Sequence, residues 1–213
     1  MDRREALQRV ALIMGGAVIG AEAFLSGCKT TPAKEGLFSV SDVALLDEVG
    51  DTILPTTSSP GAKAAQIGEF MKTMVTDCYT EDDQKIFTDG ITKLQDAAKK
   101  KYSKSFMDLT PEQRTEFLIE LDKEAKEKSK EIGARAAKLT DEQRHQIALD
   151  KNFGSFKRDP QDDPHYFTMI KQLTLTGYFT SKPGATQALR YIAVPGKYEG
   201  CIPYNKGDKA WAT

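Results

Sequence analysis

The sequence has few of the residues from which chemical sites are built. It contains three cysteines, two histidines and one tryptophan in 213 residues. His145 and His165 have no neighbouring metal-ligand pattern, and the paired-cysteine spacing of zinc sites and the Cys-x-x-Cys-His of haem attachment are both missing. A P-loop, a Gly-x-Gly-x-x-Gly motif after a strand and a nucleophile elbow are also missing. We therefore expect no catalytic, cofactor-binding or metal-binding residues in this chain.

The chain also lacks an excess of charge of either sign. Its 30 lysines and arginines balance 31 aspartates and glutamates, for a net charge of -1. A balanced chain gives no electrostatic reason to bind nucleic acid. The basic run Lys99-Lys100-Lys101 falls at the end of a predicted helix, where cations stabilise the helix dipole. We therefore expect no nucleic-acid partner.

No apolar run is long enough for a membrane-spanning helix. The longest, from Val10 to Phe24, has about 15 residues, whereas a spanning helix needs about 20. Glu22 interrupts it. A short apolar run near the start of a chain is typical of an export signal.

Residues 1–27 resemble a bacterial lipoprotein signal that ends at Cys28, the cysteine of Leu25-Ser26-Gly27-Cys28. The adjacent Arg3 and Arg4 also resemble a twin-arginine signal, which exports folded proteins. The alternative is an ordinary cleaved signal with an incidental cysteine. On the lipoprotein interpretation, Cys28 carries the lipid, residues 28–36 form a short polar tether, and the protein is anchored to a membrane on the periplasmic side of the bacterial envelope.

From residue 37 onward the apolar residues recur at helical spacing. Residues 37–213 are long enough for one domain with a real core. We predict an all-α fold, a single domain of about five to seven helices with an irregular, aromatic-rich C-terminal tail. The predicted helix starts lie near Ser41, at Ala62 or Ala65, at Thr80, at Thr110, at Thr140 and at Asp162-Asp163-Pro164. The first helix ends before Pro55, the second near Cys78, and the distal half of the Thr110 helix is so polar that it projects into solvent or lies against a polar partner.

The tail after Tyr178 combines helix breakers with aromatic residues. Pro183-Gly184, Pro195-Gly196 and Pro203 interrupt any long helical pattern. Disordered tails normally lack aromatic residues, so we expect this tail to pack, either on its own domain or on another chain. Its aromatic residues are Tyr178, Phe179, Tyr191, Tyr198, Tyr204 and Trp211.

Two segments resemble a known family. Residues 51–62, with the sequence DTILPTTSSPGA, and residues 177–181, GYFTS, followed by residues 200–203, GCIP, are similar to the gluconate 2-dehydrogenase subunit 3 family. These proteins are the small or gamma subunits of membrane-associated flavin dehydrogenases. The likeness covers roughly Leu37 to Trp211.

The resemblance implies an accessory role without a cofactor in this chain. A large flavoprotein of the glucose-methanol-choline type would hold FAD and oxidise a sugar or sugar acid, and a cytochrome c subunit would receive the electrons. The small subunit would assist folded export, assembly and anchoring of that flavoprotein. The alternative is a free-standing helical envelope lipoprotein that binds a ligand or a cell-wall component.

The same resemblance selects candidate contact residues in the loop after the first helix and in the tail. Cys201 has two open alternatives, a disulfide with Cys78 or one with a partner chain. The candidate contact residues are Leu54, Pro55, Pro60, Tyr178, Phe179, Tyr198, Cys201 and Trp211.

Overall fold

The computed structural model describes residues 36–152, 157–194, 196–197 and 200–212. The predicted export signal with Arg3, Arg4 and Cys28, and the candidate contact residue Tyr198, lie outside these residues. Leu37–Thr213 forms one compact unit, which contains every described residue except Gly36.

Six α-helices of the described residues make up the helical body: α1 (Val40–Ile53), α2 (Ile67–Cys78), α3 (Glu81–Tyr102), α4 (Pro111–Ala136), α5 (Asp141–Asn152) and α6 (Tyr166–Thr180). Short 3-10 helices span Ala62–Ala65, Phe106–Asp108 and Pro160–Asp162, and a π-helical turn spans Gly184–Ala188. The only β feature of the described residues is an isolated bridge between Arg190 and Trp211. The prediction of a single all-α domain is confirmed.

Side-chain caps fix most helix starts, because they satisfy backbone N–H groups that have no partner inside the helix. Thr80 caps α3 and Thr110 caps α4, as predicted, and Thr110 forms a capping box with Gln113. The prediction of Ser41 as the first cap is wrong. Ser39 caps α1, since its hydroxyl accepts from the backbone N–H of Asp42 at 3.2 Å and its own N–H donates to the Asp42 carboxylate at 2.9 Å.

Two other predicted boundaries are corrected. A continuous second helix from Ala62 or Ala65 is wrong, because Gln66 has a left-handed backbone (φ 52°, ψ 50°) that separates the Ala62–Ala65 turn from α2. The helix predicted to start at Asp162 begins instead at Tyr166, after the Pro160–Asp162 turn. Asp163, which precedes a proline, is extended (φ -63°, ψ 131°), as residues before proline prefer to be.

Helix α6 lies at the centre of the body and packs on α1, α2, α3 and α4. Fully buried side chains from four helices meet there: Val49, Met71, Phe87 and Ile170. Gly90 permits the close approach of α3, since a Cβ at this position would lie 2.3 Å from Cβ of Tyr166. Burial of these apolar side chains is the main source of stability in such a core.

Most of the polar stretch of α4, residues 122–131, is exposed to solvent, the first of the two predicted alternatives, while its less exposed side contacts polar residues of the same chain. Lys128 donates to the carbonyl oxygen of Gln161 at 2.8 Å, and Arg135 pairs with Asp162 at 2.7 Å. Lys171 of α6 pairs with Asp122 at 2.6 Å. These contacts tie α4 to residues 157–163 and to the central helix, so ion pairs stabilise the outer part of the body.

Candidate partner interface

The two segments that carry the family resemblance meet in the structure. The buried Tyr178, near the end of α6, donates its hydroxyl hydrogen to the carbonyl oxygen of Pro60 at 2.5 Å. These residues are 118 positions apart in the chain. The hydrogen bond joins the loop after α1 to the end of α6, and we call this contact the Pro60–Tyr178 junction.

Glycines place Tyr178 against its neighbours. A Cβ at Gly177 would lie 2.5 Å from the ring of Phe70, so only glycine lets α6 approach α2 this closely. A Cβ at Gly184 would lie 1.8 Å from the carbonyl oxygen of Tyr178. Ser181 completes the turn, since its hydroxyl donates to that carbonyl at 2.6 Å and accepts from the N–H of Gly184 at 3.1 Å. The chain therefore turns sharply back over the end of α6.

The loop from Leu54 to Gly61 is held by its own hydrogen bonds. The N–H of Ala62 donates to the carbonyl oxygen of Leu54 at 2.9 Å, and the N–H of Gly61 donates to the hydroxyl of Thr56 at 3.1 Å. One carboxylate oxygen of Asp51 is buried beneath the loop without a hydrogen-bond partner. The loop is therefore an ordered surface whose exposed side consists of residues 55–58.

The described residues between Arg190 and Trp211 (190–194, 196–197 and 200–211) form what we call the tail loop, whose two ends meet at its base. Arg190 donates its N–H to the carbonyl oxygen of Ala210 at 2.8 Å, and its own carbonyl oxygen accepts from the N–H of Ala212 at 2.7 Å. The Arg190 guanidinium lies over the Trp211 ring, 4.6 Å from its centroid, a favourable cation–π contact. Sequence reasoning missed Arg190, because an arginine gains this role only when a distant tryptophan comes close.

The candidate contact residues fall into two groups. Pro60 accepts the hydrogen bond from the buried Tyr178, and Leu54 is half-buried against the core. Phe179 packs edge-on against Tyr178 with ring centroids 5.2 Å apart, while 40% of its own surface is exposed. Pro55 is on the exposed side of the same loop. Cys201 and Trp211 belong to the tail loop and are exposed.

Both alternatives for Cys201 stay predictions. Cys78 and Cys201 are both exposed free thiols in the structure, which shows no bond between them. A bond from Cys201 to a partner chain stays a prediction.

His165 has a structural role at the start of α6. Its Nδ1 accepts from the backbone N–H of Phe167 at 3.2 Å, which caps the helix. Burial lowers the pKa of His165, and Glu124 acts in the opposite direction. Burial, with a smaller contribution from Glu124, raises the pKa of Tyr166 to about 12.

Metal sites and membrane-spanning helices are both missing from the described residues. No group of three or more histidine, cysteine, aspartate or glutamate side chains among them is arranged to hold a metal ion. None of the helices in the described ranges combines the length and apolarity that crossing a membrane requires.

Comparison with protein families gives a match over most of the chain. The model of the family described as gluconate 2-dehydrogenase subunit 3 matches residues 41–196. The match includes both sides of the Pro60–Tyr178 junction, while residues 200–203 lie beyond it. Comparisons with curated proteins and with solved structures found no match. The family model covers well over half of the sequence, and the chain therefore belongs to the gluconate 2-dehydrogenase subunit 3 family.

Proposed function

We propose that this protein is the non-catalytic small subunit of a membrane-associated, FAD-dependent dehydrogenase that oxidises a sugar or sugar acid of the gluconate type. Its family is by description a subunit of a multi-subunit dehydrogenase. The observation that carries the proposal is the Pro60–Tyr178 junction, because it unites the two family-like segments into one ordered surface with Phe179 exposed at its edge.

The chemistry is divided between chains in this proposal. The catalytic partner is a large flavoprotein of the glucose-methanol-choline type that holds FAD, and a cytochrome c subunit accepts its electrons. The charged residues of the present chain support this division, since several of the least exposed are engaged in ion pairs between elements. Arg158 pairs with Asp83 at 2.7 Å and with Asp163 at 2.8 Å, and Glu48 of α1 accepts from Arg114 of α4.

The role of this chain is export, assembly and anchoring. A flavoprotein must bind FAD where the cofactor is made, so it crosses the membrane already folded. A twin-arginine signal at Arg3 and Arg4 would take both chains across together. Lipid on Cys28 would then hold the complex on the periplasmic side of a membrane, provided that more than one acyl chain is attached, since one chain binds only marginally.

The first test is purification of the tagged full-length protein from its native membranes. We expect a large chain in equal amount, with the visible absorption bands of a flavin. A colourless protein that purifies alone would contradict the proposal and would favour the free-standing envelope lipoprotein. A Cys28→Ser variant separates anchoring from assembly, because it should leave the membrane fraction while still retaining the flavoprotein.

A further inference from the structure

We propose that the tail loop is the element through which this chain docks on the catalytic flavoprotein. The inference rests on the proposed function and deepens it, since it identifies which surface makes the contact. It is carried by four observations: the concentration of exposed apolar side chains, the unpaired backbone, the closed base and the charge of the loop.

Exposed apolar residues are concentrated in the tail loop. Twelve large apolar side chains are exposed among the described residues, and six of them lie between residues 191 and 211. Interface centres are rich in aromatic residues, which supply much of the binding energy. The six are Tyr191, Ile192, Val194, Ile202, Tyr204 and Trp211. No other part of the described surface has a comparable group.

Two stretches of the tail loop make no backbone hydrogen bond to the rest of the described chain. Residues 191–194 and 201–204 make no backbone hydrogen bond to another described residue. Stretches of this kind can take an extended conformation along the edge of a sheet in a partner, where main-chain hydrogen bonds supply affinity and side chains supply specificity. This mode of docking uses the whole segment, in addition to its aromatic side chains.

Contacts at the base of the tail loop hold its two ends together before a partner binds. Besides the Arg190–Trp211 contact, Lys209 donates to the carbonyl oxygen of Gln187, which lies in the π-helical turn. Closing the loop before the partner arrives reduces the entropy that binding must overcome. Gly184 and Ser181 attach this base to the end of α6, so the loop is continuous with the Pro60–Tyr178 junction.

The charge of the loop favours a different protein over a second copy of this chain. Residues 190–211 contain four basic and two acidic residues. Two such loops would repel each other if they met, whereas a partner face that is apolar with an acidic rim would attract them. An anionic lipid surface shares that charge, but membership of a subunit family favours another protein chain as the occupant.

The test compares two variants of the tagged full-length protein. In the tail variant, Tyr191, Ile192 and Tyr204, which are 53%, 53% and 73% exposed, are each replaced by alanine. In the control variant, Val40→Ala and Ile119→Ala remove apolar side chains that are 89% and 52% exposed on α1 and α4. We expect the tail variant to retain about a tenth or less of the flavoprotein, and the control variant to retain all of it.

Two further measurements show that the loss comes from docking. Circular dichroism melting of the tail variant should match that of the wild type, because none of the three side chains is buried. Hydrogen exchange should show the amides of residues 191–194, Cys201, Ile202 and Tyr204 unprotected in the free chain and protected in the complex. Equal flavoprotein retention by the tail variant, or unprotected amides in the complex, would overturn the inference.

The outcomes also separate this inference from the proposed function. If the wild-type chain and the tail variant bind the flavoprotein equally, the docking surface is wrong and the proposed function stands. If the wild-type chain captures no flavoprotein, both are wrong. A tail loop that binds phosphatidylglycerol vesicles and leaves flavoprotein retention unchanged would show that its occupant is a membrane.

Discussion

In the helical body, Phe87 of α3 has 0% of its surface exposed, whereas Tyr204 in the tail loop has 73% exposed. Both regions contain large apolar side chains. In the body these recur at helical spacing, so one face of each helix can be buried against α6. In the tail loop, prolines and glycines interrupt that spacing, and no common face forms. The difference shows that the body buries its apolar residues in a core, whereas those of the tail stay exposed.

The largest expected difference in stability between the two regions comes from shortening one aromatic side chain in each. Phe87→Ala should reduce the free energy of unfolding by about 3–5 kcal/mol, because it removes buried surface and leaves a cavity. Tyr204→Ala should change it by less than about 0.5 kcal/mol, as is usual for exposed positions. Urea unfolding followed by circular dichroism measures both.

If Phe87→Ala does not fold, Phe87→Leu can be used instead. It leaves a smaller cavity and should give a smaller, measurable decrease in the free energy of unfolding. Comparable losses for Phe87→Leu and Tyr204→Ala would mean that the tail loop is part of the core. The division between the two regions would then be wrong.

A pair of glycines tests how closely the body is packed. Gly90→Ala should lower the free energy of unfolding by about 1–3 kcal/mol, because the new Cβ would lie within 2.3 Å of Tyr166 and its helix must move. Gly133→Ala makes the same change on α4 where nothing lies within 4 Å. It should raise the free energy of unfolding by about 0.5–1 kcal/mol, since alanine favours helix.

Denaturant midpoints of the two variants should therefore move in opposite directions. A shift in the same direction for both would show that helix propensity, and not the α3–α6 contact, decides the effect at Gly90.

The Pro60–Tyr178 junction lies where the two regions join, and a single hydroxyl tests it. Tyr178→Phe removes the hydrogen bond to Pro60 and leaves the carbonyl oxygen without that donor. We expect the free energy of unfolding to fall by about 0.5–1.5 kcal/mol. Tyr204→Phe removes an exposed hydroxyl and should have no effect. Faster amide exchange of Gly61 and Ala62 in Tyr178→Phe alone would localise the loss to the loop, whereas equal exchange in both variants would argue against a role for this bond.

Local chemistry made much of the fold predictable. Thr80 and Thr110 were identified correctly because a cap depends on residues within one turn. Ser39 was also identifiable, since Asp42 follows it by three positions. The left-handed Gln66 was not, because nothing in its own side chain favours that conformation. Packing requires it: the break allows the N–H of Gly68 to donate to Asp47 of α1 at 2.7 Å.

The candidate interface was predictable in part for a similar reason. The family-like segments pointed to the loop at Pro60 and to Tyr178 separately. Their hydrogen bond spans 118 positions and leaves no pattern in the sequence. The same holds for Arg190 and Trp211, whose contact depends on how the tail loop closes.

The smallest expected effect is a dependence of the stability of the helical body on pH. Burial lowers the pKa of His165 from its ordinary value of 6.5, so the unfolded chain binds a proton at a higher pH than the folded chain does. Stability contributed by neutral His165 is therefore complete above about pH 6.5 and declines as the pH falls below it. Protonation also removes the Nδ1 acceptor that caps α6 and places a positive charge near Lys93 and Lys128.

His165→Asn keeps a capping side chain and removes the titration. The variant should lose less stability than the wild type between pH 7 and 5 in parallel urea titrations. The carboxylates with lowered pKa values, Asp122, Glu112 and Glu142, should contribute little to this difference, because their contribution to stability is lost mainly as the pH falls through and below their ordinary pKa values of 3.8 and 4.5. Identical pH profiles of the free energy of unfolding would mean that protonation of His165 does not destabilise α6. Any pH dependence of the stability of the body would then have to come from its ion pairs.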